Sequence, residues 1–202
     1  MKKIIYTISI LACLLLFTCC EKNKAGTFKL RMVVFEDADN GISDIHDVEF
    51  SKVYFRGKKM LELVPNKDSY YFCMIEGNEF SGFFPSIDAL NFNNKIELKN
   101  KARGAISLPD PIEGYENRKN IQDTILEGAS LRRFCINTEN EYSVFYIGEK
   151  LDIPFSLNKK IENDYNGSIR RIDTYQREQD RFISLRLSYT DTIPEKFFNI
   201  LK

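Results

Sequence analysis

The stretch from Glu36 to Glu49, EDADNGISDIHDVE, gathers the carboxylates of Asp37, Asp39 and Asp44 around Asn40 and Gly41. Hard cations such as Ca²⁺ want several oxygen ligands, and a central glycine permits the sharp turn of a calcium loop. With Gly41 set at that glycine, Ala38 falls where an oxygen ligand is required. Asp37, Asp39 and Asp44 are therefore weak metal candidates, and a solvated turn between two strands accounts for the same residues. His46, the single histidine, lies in this stretch and reads as an exposed loop residue. No Gly-x-Ser-x-Gly elbow and no cysteine in a catalytic context accompany it. Cys73 and Cys135, with one histidine, fall short of a zinc ligand set. Carboxylates that could serve a glycosidase exist, such as Asp110, Glu113 and Glu116 or Asp164 and Asp173, but a chain with 29 acids supplies such pairs by chance. The reading is a non-enzymatic protein without a cofactor.

The two arginine doublets are as weak a signal as the acidic pairs. Side chains alternate along a strand, so Arg132-Arg133 and Arg170-Arg171 should each place one arginine on each face rather than build a patch. Phe80, Phe83 and Phe84 in EFSGFFPS would offer a sugar-stacking platform if exposed, although large aromatics are better expected in the core. Cys73 and Cys135, in YYFCMIE and RRFCINT, are candidates for a disulfide and also fit buried thiols among aromatics.

The elements that must position these residues read mainly as strands. FKLRMVVFE alternates Phe28, Leu30, Met32 and Val34 on one face, as a half-buried strand does. VEFSKVYFRG, MLELV and SYYFCMIE continue the pattern. SIDAL suggests a turn of helix and KIELK a strand. Residues 103–123, with Pro109, Pro111 and Gly114, read as a long loop or a seam between two halves. SLRRFCINT with EYSVFYIG, and SIRRIDTYQ with RFISLRLSY, predict two hairpins. In the last strand Ile183, Leu185, Leu187 and Tyr189 share one face, and Phe182, Ser184, Arg186 and Ser188 the other. IPEKFFNILK should close the chain as a short docked helix with Pro194 in its first turn. The expected fold is an antiparallel β-sandwich or partly open barrel with short helices, one domain over 28–202 with a tether over 20–27.

Where the domain resides follows from the N-terminus. MKKIIYTISILACLLLFTCCEK opens with two lysines and an uncharged apolar run too short to span, which is the pattern of an export signal. The run ends on Cys19 and Cys20, and FTCCEKN resembles the relaxed lipoboxes of Bacteroidetes lipoproteins. That resemblance implies a signal peptide over 1–19 and lipidation of Cys20, with Cys19 as the alternative acceptor. It also implies an envelope lipoprotein held by palmitate-type chains on the outer membrane, facing the periplasm or exposed at the surface, with the membrane as a partner. Asp123-Thr124-Ile125 and Asp191-Thr192-Ile193 resemble Bacteroidetes O-glycosylation sites, implying modification at Thr124 and Thr192. The C-terminal half, LRRFCINTENEYSVFYIG through RRIDTYQREQDRFISLRLSYTD, is similar to small gut Bacteroidetes lipoproteins of unknown function.

Composition narrows the partners. Without Lys2 and Lys3 the remaining chain carries 27 basic and 29 acidic residues, so no global field recruits nucleic acid. A hydrophobic content of 43% marks a globular chain, and the absence of Trp weakens a carbohydrate platform. The sequence thus reads as a lipid-anchored binding or interaction domain with a protein or glycan partner. Its alternatives are a glycan-binding or glycan-processing lipoprotein and an immunity or inhibitor lipoprotein.

Overall fold

A computed structural model describes residues 24–37, 43–91, 93–105 and 107–202, with only the backbone placed at residues 37 and 43–45. The chain runs β1 (Ala25–Asp37), β2 (Ser43–Arg56), β3 (Lys59–Asn66), β4 (Ser69–Glu76), β5 (Glu79–Phe80) and β6 (Ile96–Glu97). It continues with β7 (Lys119–Leu126), β8 (Ala129–Asn137), β9 (Glu141–Gly148), β10 (Ser168–Gln176) and β11 (Arg181–Thr190). Among the described residues two short α-helices complete it, α1 (Lys159–Asp164) between β9 and β10, and α2 (Glu195–Ile200) near the C-terminus. Tight turns fit the hairpins: Glu127 and Gly128 both take positive φ, 53° and 80°, as a two-residue turn matched to strand twist requires.

All the strands join one antiparallel sheet in the order β6-β5-β4-β3-β2-β1-β11-β10-β9-β8-β7. Each half is a meander, and β1 pairs with β11 from Thr27↔Thr190 to Glu36↔Arg181 to weld them. Edge strands β6 and β7 are joined by residues 98–118, which cross the sheet as a strap.

The strap reveals the sheet's shape. Ala105 donates to Glu62 on β3, and Tyr115 meets Phe134 of β8 edge to face at 5.9 Å. Six strand spacings separate β3 from β8, about 29 Å across a flat sheet. The stretch from Ala105 to Tyr115 reaches about 33 Å only if fully extended, yet it includes a turn closed by Tyr115 N donating to Ile112 O. The sheet is therefore strongly curled around its inner face. Of the two arrangements expected from sequence, the open, curled sheet is the one adopted, and a two-sheet sandwich is not.

The inner face carries one continuous core. Phe28, Leu30, Val53, Phe55 and Met60 come from the first half, and Phe134, Phe145, Ile147, Ile169 and Leu187 from the second. Loop residues fill its open side: Ala105 and Tyr115 from the strap, and Leu157 and Ile161 from the β9–β10 connection. Leu108 N donates to Leu157 O at 2.7 Å, tying those two segments together. Ala105 and Tyr115 thus join this core from the segment expected to be loop, and from Lys119 onward that segment is strand β7 instead. A smaller cluster on the outer face packs Phe197 of α2 and Leu201 just after it onto Tyr54, Leu61, Leu63 and Met74.

Some local expectations need correction. Ala25–Thr27, placed in the tether, belong to β1 because all three pair with β2 and Thr27 also pairs with β11. SIDAL forms turns rather than helix. Pro194 is the N-cap of α2, one position before its first turn. Cys73 and Cys135 are free buried thiols on β4 and β8, strands well separated in the sheet order, so the disulfide candidate is not formed.

Candidate functional site

The strap is locked at one end by a charge pair. Glu62 shares the inner face of β3 with Met60, since side chains alternate along the strand. Both the Glu62 and Lys101 side chains are 0% exposed, and Lys101 Nζ lies 2.5 Å from Glu62 Oε2. The other carboxylate oxygen accepts from Ala105 N, and Lys101 donates to the carbonyls of Arg103 and Ala105. Oε2 makes a close charge contact rather than an aligned hydrogen bond. Burial pushes the Glu62 carboxyl above its ordinary range, against the pull of Lys101. Gly104, at φ 78°, lets the strap pass this pair, because a Cβ there would lie 1.9 Å from Glu62 Oε1. Cys73 pairs with Glu62 across β3 and β4, and burial pushes its thiol up to about 12, with the Glu62 charge adding to the effect.

Past that lock the strap stands off the sheet and leaves a cavity of about 500 Å³. Leu108, Pro109, Pro111 and Ile112 of the strap form one wall, and Ile136, Phe145 and Ile172 of β8–β10 form the other. The polar groups sit with Ser143 and Thr174, whose hydroxyls are 2.9 Å apart, and with Thr138, Asn140, Glu113 and Glu141. Pockets of this size, apolar with a few polar groups, are the usual form of small-molecule sites.

The cavity's rim is held by hydrogen bonds between two hairpin turns. Arg177 Nη1 donates to Thr138 O and Glu139 O, its Nη2 donates to Asn137 Oδ1, and its backbone N donates to Asn140 O. Gln176 Nε2 donates to Glu141 Oε1 at 2.9 Å. On the strap side Asn158 Nδ2 donates to Pro109 O, while its Oδ1 caps α1 by accepting from Ile161 N. Beyond the cavity Tyr115 donates to Asp164 Oδ2 at 2.8 Å, which holds that carboxyl below its usual range. Sequence patterning could not find this site, because residues 108–113 show no periodicity and their wall exists only once the strap crosses the sheet.

The residues expected to do chemistry lie elsewhere. Asp37 ends β1 and Asp44 lies near the start of β2, opposite Glu36, and Asp39 lies outside the described residues. Among the described residues no group of three or more His, Cys, Asp and Glu could hold a metal ion. His46 is exposed, but on β2 opposite Val34 rather than in a loop. Phe80 is buried in the core, Phe83 packs against it at 5.6 Å, and Phe84 forms a bridge with Phe72, so these rings make no open platform. Asp110, Glu113 and Glu116 are spread along the strap, and Asp164 is bound to Tyr115 at the end of α1 while Asp173 pairs with Arg171 on β10. Thr192 is exposed just after β11, and Thr124 is half-buried within edge strand β7. Cys19 and Cys20 lie outside the described residues.

Arg132 and Arg133 keep regular register, opposite Ile147 and Tyr146, but the second arginine doublet departs from alternation. β10 bulges between Ile169 and Arg171, so Arg170 is an extra residue with no partner on β9. Arg170 and Arg171 consequently line the same groove, whereas alternation put one on each face.

The fold is thus an open, curled antiparallel sheet whose inner face is closed by a strap over a cavity. No family model and no curated protein matches the chain. Solved structures similar to it include a DUF1329 family protein from Desulfovibrio piger, at 10% identity over 90% of this chain and 93% of that one, with a TM-score of 0.31. PNGF-II is similar at 8% identity over 85% of this chain, with a TM-score of 0.31, and the match spans 29% of its length. A Vibrio parahaemolyticus domain assigned to outer membrane lipoprotein sorting is similar at 11% identity, over 90% of this chain and 92% of that one, with a TM-score of 0.29. At these values no role passes from those proteins to this chain.

Proposed function

We propose that this protein is a lipid-anchored, non-enzymatic binding protein of the bacterial envelope whose ligand has an apolar body and a small hydrogen-bonding end. The carrying observation is the cavity beneath the strap, with aliphatic and aromatic walls and the Ser143–Thr174 hydroxyl pair at its polar side. Burying an acyl or ring system there would gain about 25 cal/mol per Å² of apolar surface, and the hydroxyls would fix its orientation. The anchor is Cys20, acylated after removal of residues 1–19, and the domain faces the periplasm from the outer membrane. Membrane attachment in this reading is through the Cys20 lipid. Among the described residues no helix is long and apolar enough to cross a membrane.

N-phenyl-1-naphthylamine, a neutral fluorophore bright only in apolar surroundings, tests the cavity. Saturable fluorescence, displaced by a neutral monoacylglycerol and lost in Ser143→Phe with unchanged circular dichroism, is expected. Equal signal in that variant contradicts the reading. Cys20→Ser tests the anchor separately: it should block acylation, detected by intact mass, whereas retained acylation moves the anchor to Cys19.

A further inference from the structure

β10 and β11 pair only between Arg171↔Arg186 and Gln176↔Arg181. Beyond that point Ser168 and Ile169 follow β9, while Leu187 to Thr190 follow β1, so the two strands part. A groove of about 750 Å³ opens at the split. Its floor includes Leu131, Leu187 and Tyr189, and Arg31, Arg170, Arg171 and Arg186 line it.

The placement of those arginines is costly. Arg186 lies directly opposite Arg171 on one side and Arg31 on the other. Like charges facing one another across strands destabilise a sheet. Asp173 compensates Arg171, and Asp47 compensates Arg31. Arg186 receives no such help: its Nε donates to Ser184 Oγ at 3.1 Å, and no carboxylate pairs with it among the described residues. Arg170, brought in by the bulge, donates to the backbone oxygen of Glu149 at 3.2 Å. The carboxylates of Glu127 and Glu149 also reach the groove and limit its net charge. Burial lowers the pKa of Arg170, so desolvation has a cost that an anion would relieve.

We infer that the groove where β10 parts from β11 binds a phosphate group, held by the guanidinium forks of Arg170 and Arg186, with Leu131, Leu187 and Tyr189 receiving whatever apolar portion the phosphate bears. Arginine's planar fork matches two phosphate oxygens at once, which a lysine cannot do. Phosphate could arrive as a free anion or as a lipid headgroup, and both present the same oxygens. This site is separate from the cavity under the strap, which shares none of these residues.

The test is calorimetric titration of the full acylated protein in neutral detergent with inorganic phosphate and, separately, with dihexanoylphosphatidylglycerol. Arg186→Gln and Arg170→Gln are each expected to weaken binding about tenfold or more, the loss of one charge-assisted contact. Arg132→Gln, an arginine outside the groove, should leave it unchanged. Arg186→Gln should also unfold at an equal or higher temperature, because it relieves repulsion, a pairing of effects that a merely structural arginine would not give. Heat with phosphate identifies a free anion, and heat with the short lipid alone identifies a headgroup. No heat with either, or binding that persists in both groove variants, overturns the assignment.

Discussion

Lys101 and Glu62 are the side chains on which the inner face most depends. Each alone in this environment would be a buried charge, and removing one partner of such a pair costs about 3–5 kcal/mol. Lys101→Met should therefore lower the urea midpoint strongly, while the double variant Glu62→Leu, Lys101→Met should recover most of the loss; equal midpoints for wild type and Lys101→Met would show the pair to be energetically idle. The buried Cys73 thiol, pushed up to about 12, should resist iodoacetamide at pH 8 in the folded protein and react once urea unfolds it, which mass spectrometry reads directly. Glu162 gives the pH dependence. Burial raises its pKa, so its contribution to stability is fully present below the ordinary carboxylate value and is lost as pH rises through the raised one. Glu162→Gln should gain on wild type in denaturation midpoint as pH goes from 4 to 7, and a constant difference would contradict that. None of these partners is visible in sequence: Glu62 sits in MLELV, where alternation says only that it faces opposite to Leu61 and Leu63, and its partner comes from a loop 39 positions away.

The strap and the C-terminal helix are the elements that convert a curled sheet into a closed domain. Gly104→Ala introduces a Cβ into the Glu62 carboxylate and forces a left-handed backbone, so it should destabilise by more than about 1–2 kcal/mol, the backbone cost alone. Helix α2 depends on Phe197, stacked on Tyr54 with ring centroids 4.2 Å apart. Phe197→Ala should cost about 3–5 kcal/mol if the site cannot collapse, and hydrogen exchange should show residues 195–201 opening first. Strands β1 to β4 and both C-terminal hairpins follow directly from alternation and turn residues, as does the docking of FFNIL, whereas edge strand β7 begins at Lys119 inside the segment expected to be loop. Two features escape that logic. The β10 bulge breaks the period of two and turns an arginine doublet into a one-sided pair, and the strap gains its order only from contacts distant in sequence.

The whole molecule is two meanders welded through β1 and β11, with a cavity on its inner side and an arginine-lined groove where β10 leaves β11. Alternation across several strands pointed to an antiparallel sheet with short helices, but whether the sheet folds into a sandwich or curls is decided by long-range pairing, which local periodicity does not encode. For the same reason His46, picked by chemical type, does not line the cavity, which is built from ordinary aliphatic residues and a proline-containing strap. The central claim is that this cavity takes an apolar ligand, and photolabelling addresses it most directly. A neutral diazirine-bearing monoacylglycerol, irradiated with the full-length protein in neutral detergent and mapped by peptide mass spectrometry, should label residues 108–113 of the strap together with Ile136, Phe145 or Ile172, and an excess of unlabelled monoacylglycerol should suppress it. Labelling confined to the outer face, or unsuppressed by competitor, would contradict the account.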